Sequence, residues 1–236
     1  MSEFSIIIPT LNEGPRLETL LPYLYANADP GALPEIIISD GGSTDDTKEI
    51  ARKEGALVIS APRGRASQMN AGAKQAKGRI LYFLHADSLP PPNFQSKITS
   101  ALKRRETAGC FRIRFEPSNA FLSAFAWCSR LNFPICRGGD QSLFLPKKWF
   151  EALGGFDERY RVYEDNEFTG RLYRHYTFTV LPSELRTSAR RYREKGVYQL
   201  QFHYAVVHLK KFFGASPESL YRYYKKHISV EPKADT

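Results

Sequence analysis

The run FLHADS, Phe83 to Ser88, ends an apolar stretch on a single carboxylate, Asp87. A strand ending in an acid is where an α/β enzyme holds a metal-bound diphosphate. Asp is also a common turn former and helix cap, so the segments around it decide between the two readings.

PTLNEG, Pro9 to Gly14, follows another apolar run and offers Thr10, Asn12 and Glu13, a hydroxyl, an amide and a carboxylate. These suit a ribose or a base; Asn12 also suits a helix cap. In SDGGSTDDT, Ser39 to Thr47, Asp40 precedes Gly41 and Gly42, which permit a tight turn, and Ser43 or Thr44 can cap the helix that follows. Asp40 is predicted to face a ligand crevice and accept hydrogen bonds from a base N–H or a ribose hydroxyl. PRGRASQMNAGA, Pro62 to Ala73, sets Arg65 before a helix carrying Gln68, Asn70 and Gly72. A cation beside free helix amides suits a phosphate. VYEDNEFTGRLYR reads as a helix start, with Glu164 and Asp165 near its amino end and an apolar face through Phe168, Leu172 and Tyr173. Acids there complement the helix dipole. The preceding LGGFDERY, two glycines and an aromatic, argues instead that the helix is led back to the crevice.

The elements that must position these groups alternate in period. FSIIIP, EIIIS, ALVIS and RILYFL are short runs apolar on both faces, as parallel strands covered on both sides are. Helix-like stretches lie between them near Arg16 to Ala26, Thr44 to Glu54 and Ala66 to Lys77. The succession predicts a doubly wound sheet with its ligand site at the carboxyl ends of the strands.

At 236 residues, 42% hydrophobic and 25% charged, the chain can bury a full core. No run approaches the roughly 18 apolar residues of a membrane span, and MSEFSIIIPT has no basic region before its strand, which predicts a cytoplasmic protein. Cys110, Cys128 and Cys136 match no zinc spacing and are expected to be reduced thiols. The net charge of +9 is uneven: from Arg186 onward there are 11 Lys and Arg against 4 Asp and Glu, a net of +7. This tail, rich in Tyr and Phe, suits an anionic surface or substrate, or is a solvated helix face.

The order of PTLNE, SDGGSTDDT, the GRASQMNAGA helix and the HAD strand end resembles the nucleotide-sugar half of family-two glycosyltransferases of GT-A fold. GDQSLFLPKKWFEALGGFDE and YEDNEF resemble the acceptor half, and SARRYREKG lies where many relatives have an Arg-Trp element. The resemblance implies an α/β, Rossmann-like, doubly wound and mostly parallel sheet with a C-terminal helical extension. Residues 1–190 would form the catalytic domain, 1–90 its nucleotide half and 91–190 its acceptor half, with 191–236 a basic aromatic helical tail. The implied nucleotide-binding set is Pro9, Thr10, Asn12, Glu13, Asp40, Gly41, Arg65, Gln68, Asn70, His85 and Ala86. The family's Asp-x-Asp motif holds a divalent metal, Mn2+ or Mg2+, on the diphosphate. Here His85 stands in place of the first Asp, so metal binding rests on Asp87. His85 is left to contact the ribose, to pack as a neutral imidazole or to serve Mn2+ as a ligand. By the same resemblance Asp165 is the general base and Glu164 its supporting neighbour. A hexosyl or N-acetylhexosaminyl group would move from a nucleotide-sugar, UDP-linked by expectation, in one inverting displacement. Arg137, Asp140, Gln141, Arg190 and Arg191 would meet the acceptor or the diphosphate.

The acceptor is less legible. FLHADS, GDQ, YEDNEF and TSARRY with a GASPESLYRYY tail are similar to the radical-SAM/selenodomain-associated transferases, a subgroup that includes selenosugar synthases acting on selenophosphate. A small-molecule anion would suit Arg137, Arg190 and Arg191. The stretch 197–227 allows a lipid-linked acceptor instead, because apolar residues occupy much of its helix circumference. It is expected to pack on the catalytic domain or pair in a homodimer, with peripheral membrane contact the remaining use. A sugar-nucleotide pyrophosphorylase would need a Gly-rich loop where PTLNEG has one glycine. A nucleic-acid partner is not expected, since it leaves the acids at successive strand ends unexplained.

Overall fold

The computed structural model describes residues 3–138 and 141–229. The nucleotide half runs β1 (Phe4–Thr10), α1 (Gly14–Ala26), β2 (Glu35–Asp40), α2 (Thr47–Lys53), β3 (Leu57–Ser60), α3 (Arg65–Gln75) and β4 (Ile80–Phe83). After it come β5 (Ser88–Leu89), α4 (Phe94–Arg104), β6 (Ala108–Glu116), α5 (Ala120–Cys128), a 3-10 turn (Pro134–Cys136), β7 (Leu143–Pro146), α6 (Lys147–Ala152), α7 (Glu164–His175) and β8 (Phe178–Ser188). Three helices close the chain: α8 (Arg190–Lys195), α9 (Val197–Phe212) and α10 (Pro217–His227).

One eight-stranded sheet carries all of this in the order β3-β2-β1-β4-β7-β6-β8-β5. The first four strands pair in parallel, while β7 runs antiparallel to β4 and β6. Alternation along β1 sends Ile6 and Ile8 into one core with Leu17, Leu21 and Ala51, and Ile7 into the opposite one with Met69 and Phe168. Helices α1 and α2 therefore cover one face and α3 and α7 the other. Each such Ile or Leu withdrawn from water contributes about 1.5–3 kcal/mol. The chain winds outward through β2 and β3, then crosses beneath through α3 to β4 on the far side of β1. The loops after β1 and β4 diverge at that reversal and open a crevice. Gly72 lets α3 approach: a Cβ there would lie 2.4 Å from Ile7 Cγ2 and 2.7 Å from Ser39 Oγ.

The four strand runs are where periodicity puts them. Helix α2 starts at Thr47, three residues later than expected, because 43–46 are held as a turn. The basic tail packs: Leu200, Val207, Leu220 and Ile228 share a third core with Phe115, Leu122, Tyr160 and Val162. No helix among the described residues is long and apolar enough to cross a membrane.

Candidate functional site

The loops after β1 and β2 are locked together by the residues expected to touch a nucleotide. Asp40 Oδ1 accepts from the backbone amides of Gly42 and Ser43, and Oδ2 from Thr10 Oγ1 at 3.3 Å and from the Ser43 hydroxyl. Asn12, in a left-handed conformation at φ 55°, accepts from Thr44 N at 2.8 Å and donates its own N–H to Ser43 Oγ. Glu13 N reaches Thr47 Oγ1, and the Glu13 carboxylate pairs with Arg16. Pro9 is buried in register with Ser39. Gln68 bonds the carbonyls of Thr10 and Ser39, both at 2.7 Å, beneath Gly41, where a Cβ would stand 3.0 Å from the amide. Asp40 is thus 1% exposed and shapes the loop, and does not face an open crevice. Its position at a turn start satisfies the carboxylate locally before any ligand does.

At the other lip, His85 to Ser88 form a turn closed by Ser88 N–H donating to His85 O at 3.1 Å. Asp87 is a residue of this turn, four positions beyond the end of β4 and directly before β5. His85 is half-buried and Ala86 is buried. Ser88 meets Thr187 Oγ1 at 3.1 Å, and Ser188 N donates to Asp87 O, so β8 delivers Arg190 and Arg191 to Asp87. Arg16 completes the group. Its guanidinium is shifted down by burial first and then by Arg190 and Arg191, with Asp87 opposing. Arg16 also pairs with Glu13, and Arg190 Nε lies 3.9 Å from Glu194 Oε1, so the three cations stand among three carboxylates. Arg16 was missed in the sequence because an Arg in a first helical turn, three residues after Glu13, looks like an ordinary helix-surface pair.

The described residues contain no cluster of three or more His, Cys, Asp or Glu able to hold a metal. A divalent ion at Asp87 would take most of its oxygens from a diphosphate and water, a donor set that suits Mg2+ or Mn2+. The chain fits such an ion only together with its substrate.

Helix α7 does begin at Glu164, and its amino end meets that of α3 through Arg65. Gly154 and Gly155, at φ 74° and 71°, reverse the chain. Asn70 grips the loop by accepting from Phe156 N at 2.9 Å and donating to Phe156 O at 2.9 Å. Arg171 bonds the carbonyls of Leu153 and Gly155. Asn70, expected on the nucleotide, here positions the acids instead. Glu164 is wholly buried, with Arg65 Nε 2.7 Å from its Oε1. The contact is ionic and not aligned as a hydrogen bond, and Oε2 accepts none among the described residues. Asp165 Oδ2 lies 3.8 Å from Arg65 Nη1. Arg65, expected on a phosphate, therefore bridges the donor-side helix to the acid pair.

Beyond Asp165 lies a cavity of about 740 Å³. Arg65, Asp165 and Arg191 form its polar end, and Phe115, Val162, Tyr192 and Val207 belong to its largely apolar wall. His208, 3.2 Å from the Tyr163 hydroxyl through Nδ1, also lines it, and burial lowers its pKa. Arg137 lines the cavity as well, but most of its guanidinium is engaged by the scaffold. It is 4% exposed and donates to Cys110 Sγ and to the carbonyls of Ser129 and Leu131. Burial pushes the Cys110 thiol up to about 11, with Arg137 opposing. Gln141 is buried with no side-chain partner among the described residues, and Asp140 lies outside them.

Comparisons with known proteins bear on the family and the fold. Residues 5–153 match glycosyl transferase family 2. The chain is 31% identical over 182 residues to a PGL/p-HBAD biosynthesis glycosyltransferase of Mycobacterium bovis, covering 72% of this chain and 69% of that one. It is 33% identical over 93 residues to glycosyltransferase AglE of Haloferax volcanii, covering 36% of this chain and 31% of AglE. Two solved structures share the fold at a TM-score of 0.67. One is S. aureus TarS in complex with UDP, 19% identical, covering 80% of this chain and 61% of that one. The other is mannosyltransferase PcManGT from Pyrobaculum calidifontis in complex with GDP-Man and Mn2+, 22% identical, covering 94% and 69%. The chain thus spans about a third of AglE and three fifths of the TarS structure.

Proposed function

The chain belongs to glycosyl transferase family 2, and on that premise we propose an inverting transfer from a nucleotide-sugar, UDP-linked by preference, to an acceptor in the apolar cavity. One observation supports the reading: Asp165 lines the cavity together with the cations Arg65 and Arg191, so an acid that can take a proton and charges that can meet a leaving anion share one largely apolar space. The nucleotide would lie over the locked loops of Thr10, Asn12 and Asp40. Its diphosphate would lie among Arg16, Arg190, Arg191 and Asp87, where Mn2+ or Mg2+ would supply further neutralisation of the leaving charge.

The acceptor hydroxyl gives its proton to Asp165 as its oxygen bonds the anomeric carbon. The bond from that carbon to the diphosphate breaks on the opposite face, and the electron pair leaves on the diphosphate, which the arginines stabilise. Glu164 and Arg65 hold Asp165 in place. An acceptor with an apolar portion fits the largely apolar wall better than a small anion such as selenophosphate.

Asp165→Asn tests this. Turnover should fall by about 10²–10⁴-fold, the usual worth of a general base. Nucleotide-sugar binding, read by thermal shift with UDP- or GDP-sugars and Mn2+, should remain. Undiminished transfer by the variant would remove Asp165 from the role.

A further inference from the structure

Helix α9 has two apolar faces. Leu200 and Val207 point into the third core, whereas Tyr198, Phe202, Leu209, Phe212 and Phe213 are 55–83% exposed. Tyr198, Phe202, Ala205, Leu209 and Phe212 recur at steps of four and three and form one outward stripe along the helix. Helix α5 and the segment after it carry a second exposed set that includes Phe125, Trp127, Phe133 at 61% and Ile135 at 79%. The rings of Phe121 and Tyr198 lie 4.7 Å apart and join the two sets into one surface. Phe125, Ile135, Leu209 and Phe212 also line the cavity, so this surface surrounds its mouth.

We propose that this face seats the enzyme on a lipid leaflet bearing anionic headgroups. An aromatic-rich apolar face of this extent is unusual for a surface that meets only water, and Trp, Tyr and Phe suit the boundary of a bilayer. The charge agrees, because the chain from Arg186 onward has a net of +7, with Arg193, Arg222, Lys225 and Lys226 exposed on α8 and α10. Such a charge is drawn to an anionic leaflet. A second copy is the poorer occupant: a two-fold contact would bring two +7 segments together and stop both cavity mouths. A leaflet leaves the mouth open to the phase that holds an apolar acceptor. That last clause rests on the proposed function; the rest of the argument does not.

The test is flotation of the full chain with vesicles of phosphatidylcholine alone and of equal parts phosphatidylcholine and phosphatidylglycerol. Phe202→Ser/Phe213→Ser is the comparison variant, since neither residue lines the cavity and both are exposed. The wild type should float with the anionic vesicles, less so in high salt, and the variant's bound fraction should fall at least about tenfold. Thermal unfolding and donor hydrolysis by the variant should match the wild type. Wild-type protein that stays at the bottom with both vesicles overturns the proposal, as does a variant that floats equally well. A concentration-dependent dimer that the same substitutions dissociate, without vesicle binding, would assign the face to a second copy. Flotation needs no turnover, so its result stands apart from the failure or success of the glycosyl-transfer reading.

Discussion

The ion pair between Arg65 and Glu164 is the joint between the donor-side helix and the helix that carries Asp165, and its removal has a calculable effect. Glu164 is 0% exposed and Arg65 is 31% exposed, with 2.7 Å between Nε and Oε1. Truncating one partner of a fully buried pair costs about 3–5 kcal/mol, chiefly because the other charge is stranded. Arg65 is partly open to water, so screening reduces the figure and Arg65→Met should cost about 2–3 kcal/mol. In a chain of this size that is a fall of roughly 4–12 °C in Tm. Glu164→Gln leaves a guanidinium that still faces Asp165 and that water can reach, and should cost about 1 kcal/mol or less. The double variant should be more stable than Arg65→Met alone, with a coupling of about 1–2 kcal/mol in urea unfolding. A loss under about 0.5 kcal/mol for Arg65→Met, the size of an ordinary surface change, would refute the joint. Additive single effects in the double variant would refute it too.

Gly72→Ala sets a helix-propensity gain of about 1 kcal/mol against a Cβ placed 2.4 Å from Ile7 Cγ2 and 2.7 Å from Ser39 Oγ. Overpacking should win, for a net loss of about 1–2 kcal/mol in chemical denaturation; equal or higher stability would show that α3 can lift off β1 freely. His208 supplies a pH dependence. Burial lowers its pKa in the folded chain, so the unfolded chain binds the proton first as the pH falls. The stability contributed by neutral His208 should be complete above the ordinary histidine value of about 6.5 and be lost as the pH falls below it. Urea midpoints across that range should show the slope in the wild type and a flatter one in His208→Gln.

Much of the nucleotide half was legible because its strands are short apolar runs bounded by loops, a pattern set by local period and turn chemistry. FSIIIP and EIIIS become β1 and β2 because runs this short and rich in β-branched Ile suit a strand covered on both faces, whereas a helix needs about ten residues or more. Glu164 and Asp165 do open α7, since acids favour a first helical turn. The roles of polar side chains were less legible. Asp40, Gln68, Asn70 and Arg137 are residue types that bind ligands, and the fold uses each to satisfy backbone groups or pin a loop. Sequence gives a side chain's capacity for hydrogen bonds, and the partner depends on what the chain brings within 3 Å.

The same division separates Asp87 from Arg190 and Arg191. That Asp87 comes soon after a strand follows from the residues before it, whose hydrophobic pattern acts over a few positions. That Arg190 and Arg191 come near it depends on β8 pairing with the segment after Asp87, nearly 100 residues further along the chain. So, too, the apolar composition of α9 is written in its sequence, but which of its two faces is buried depends on the core that Leu200 and Val207 share with Phe115, Leu122, Tyr160, Val162, Tyr192 and Leu220. Local patterns determine elements because their energetics are short-ranged. The site and the exposed face are set by long-range pairing, which no single segment encodes.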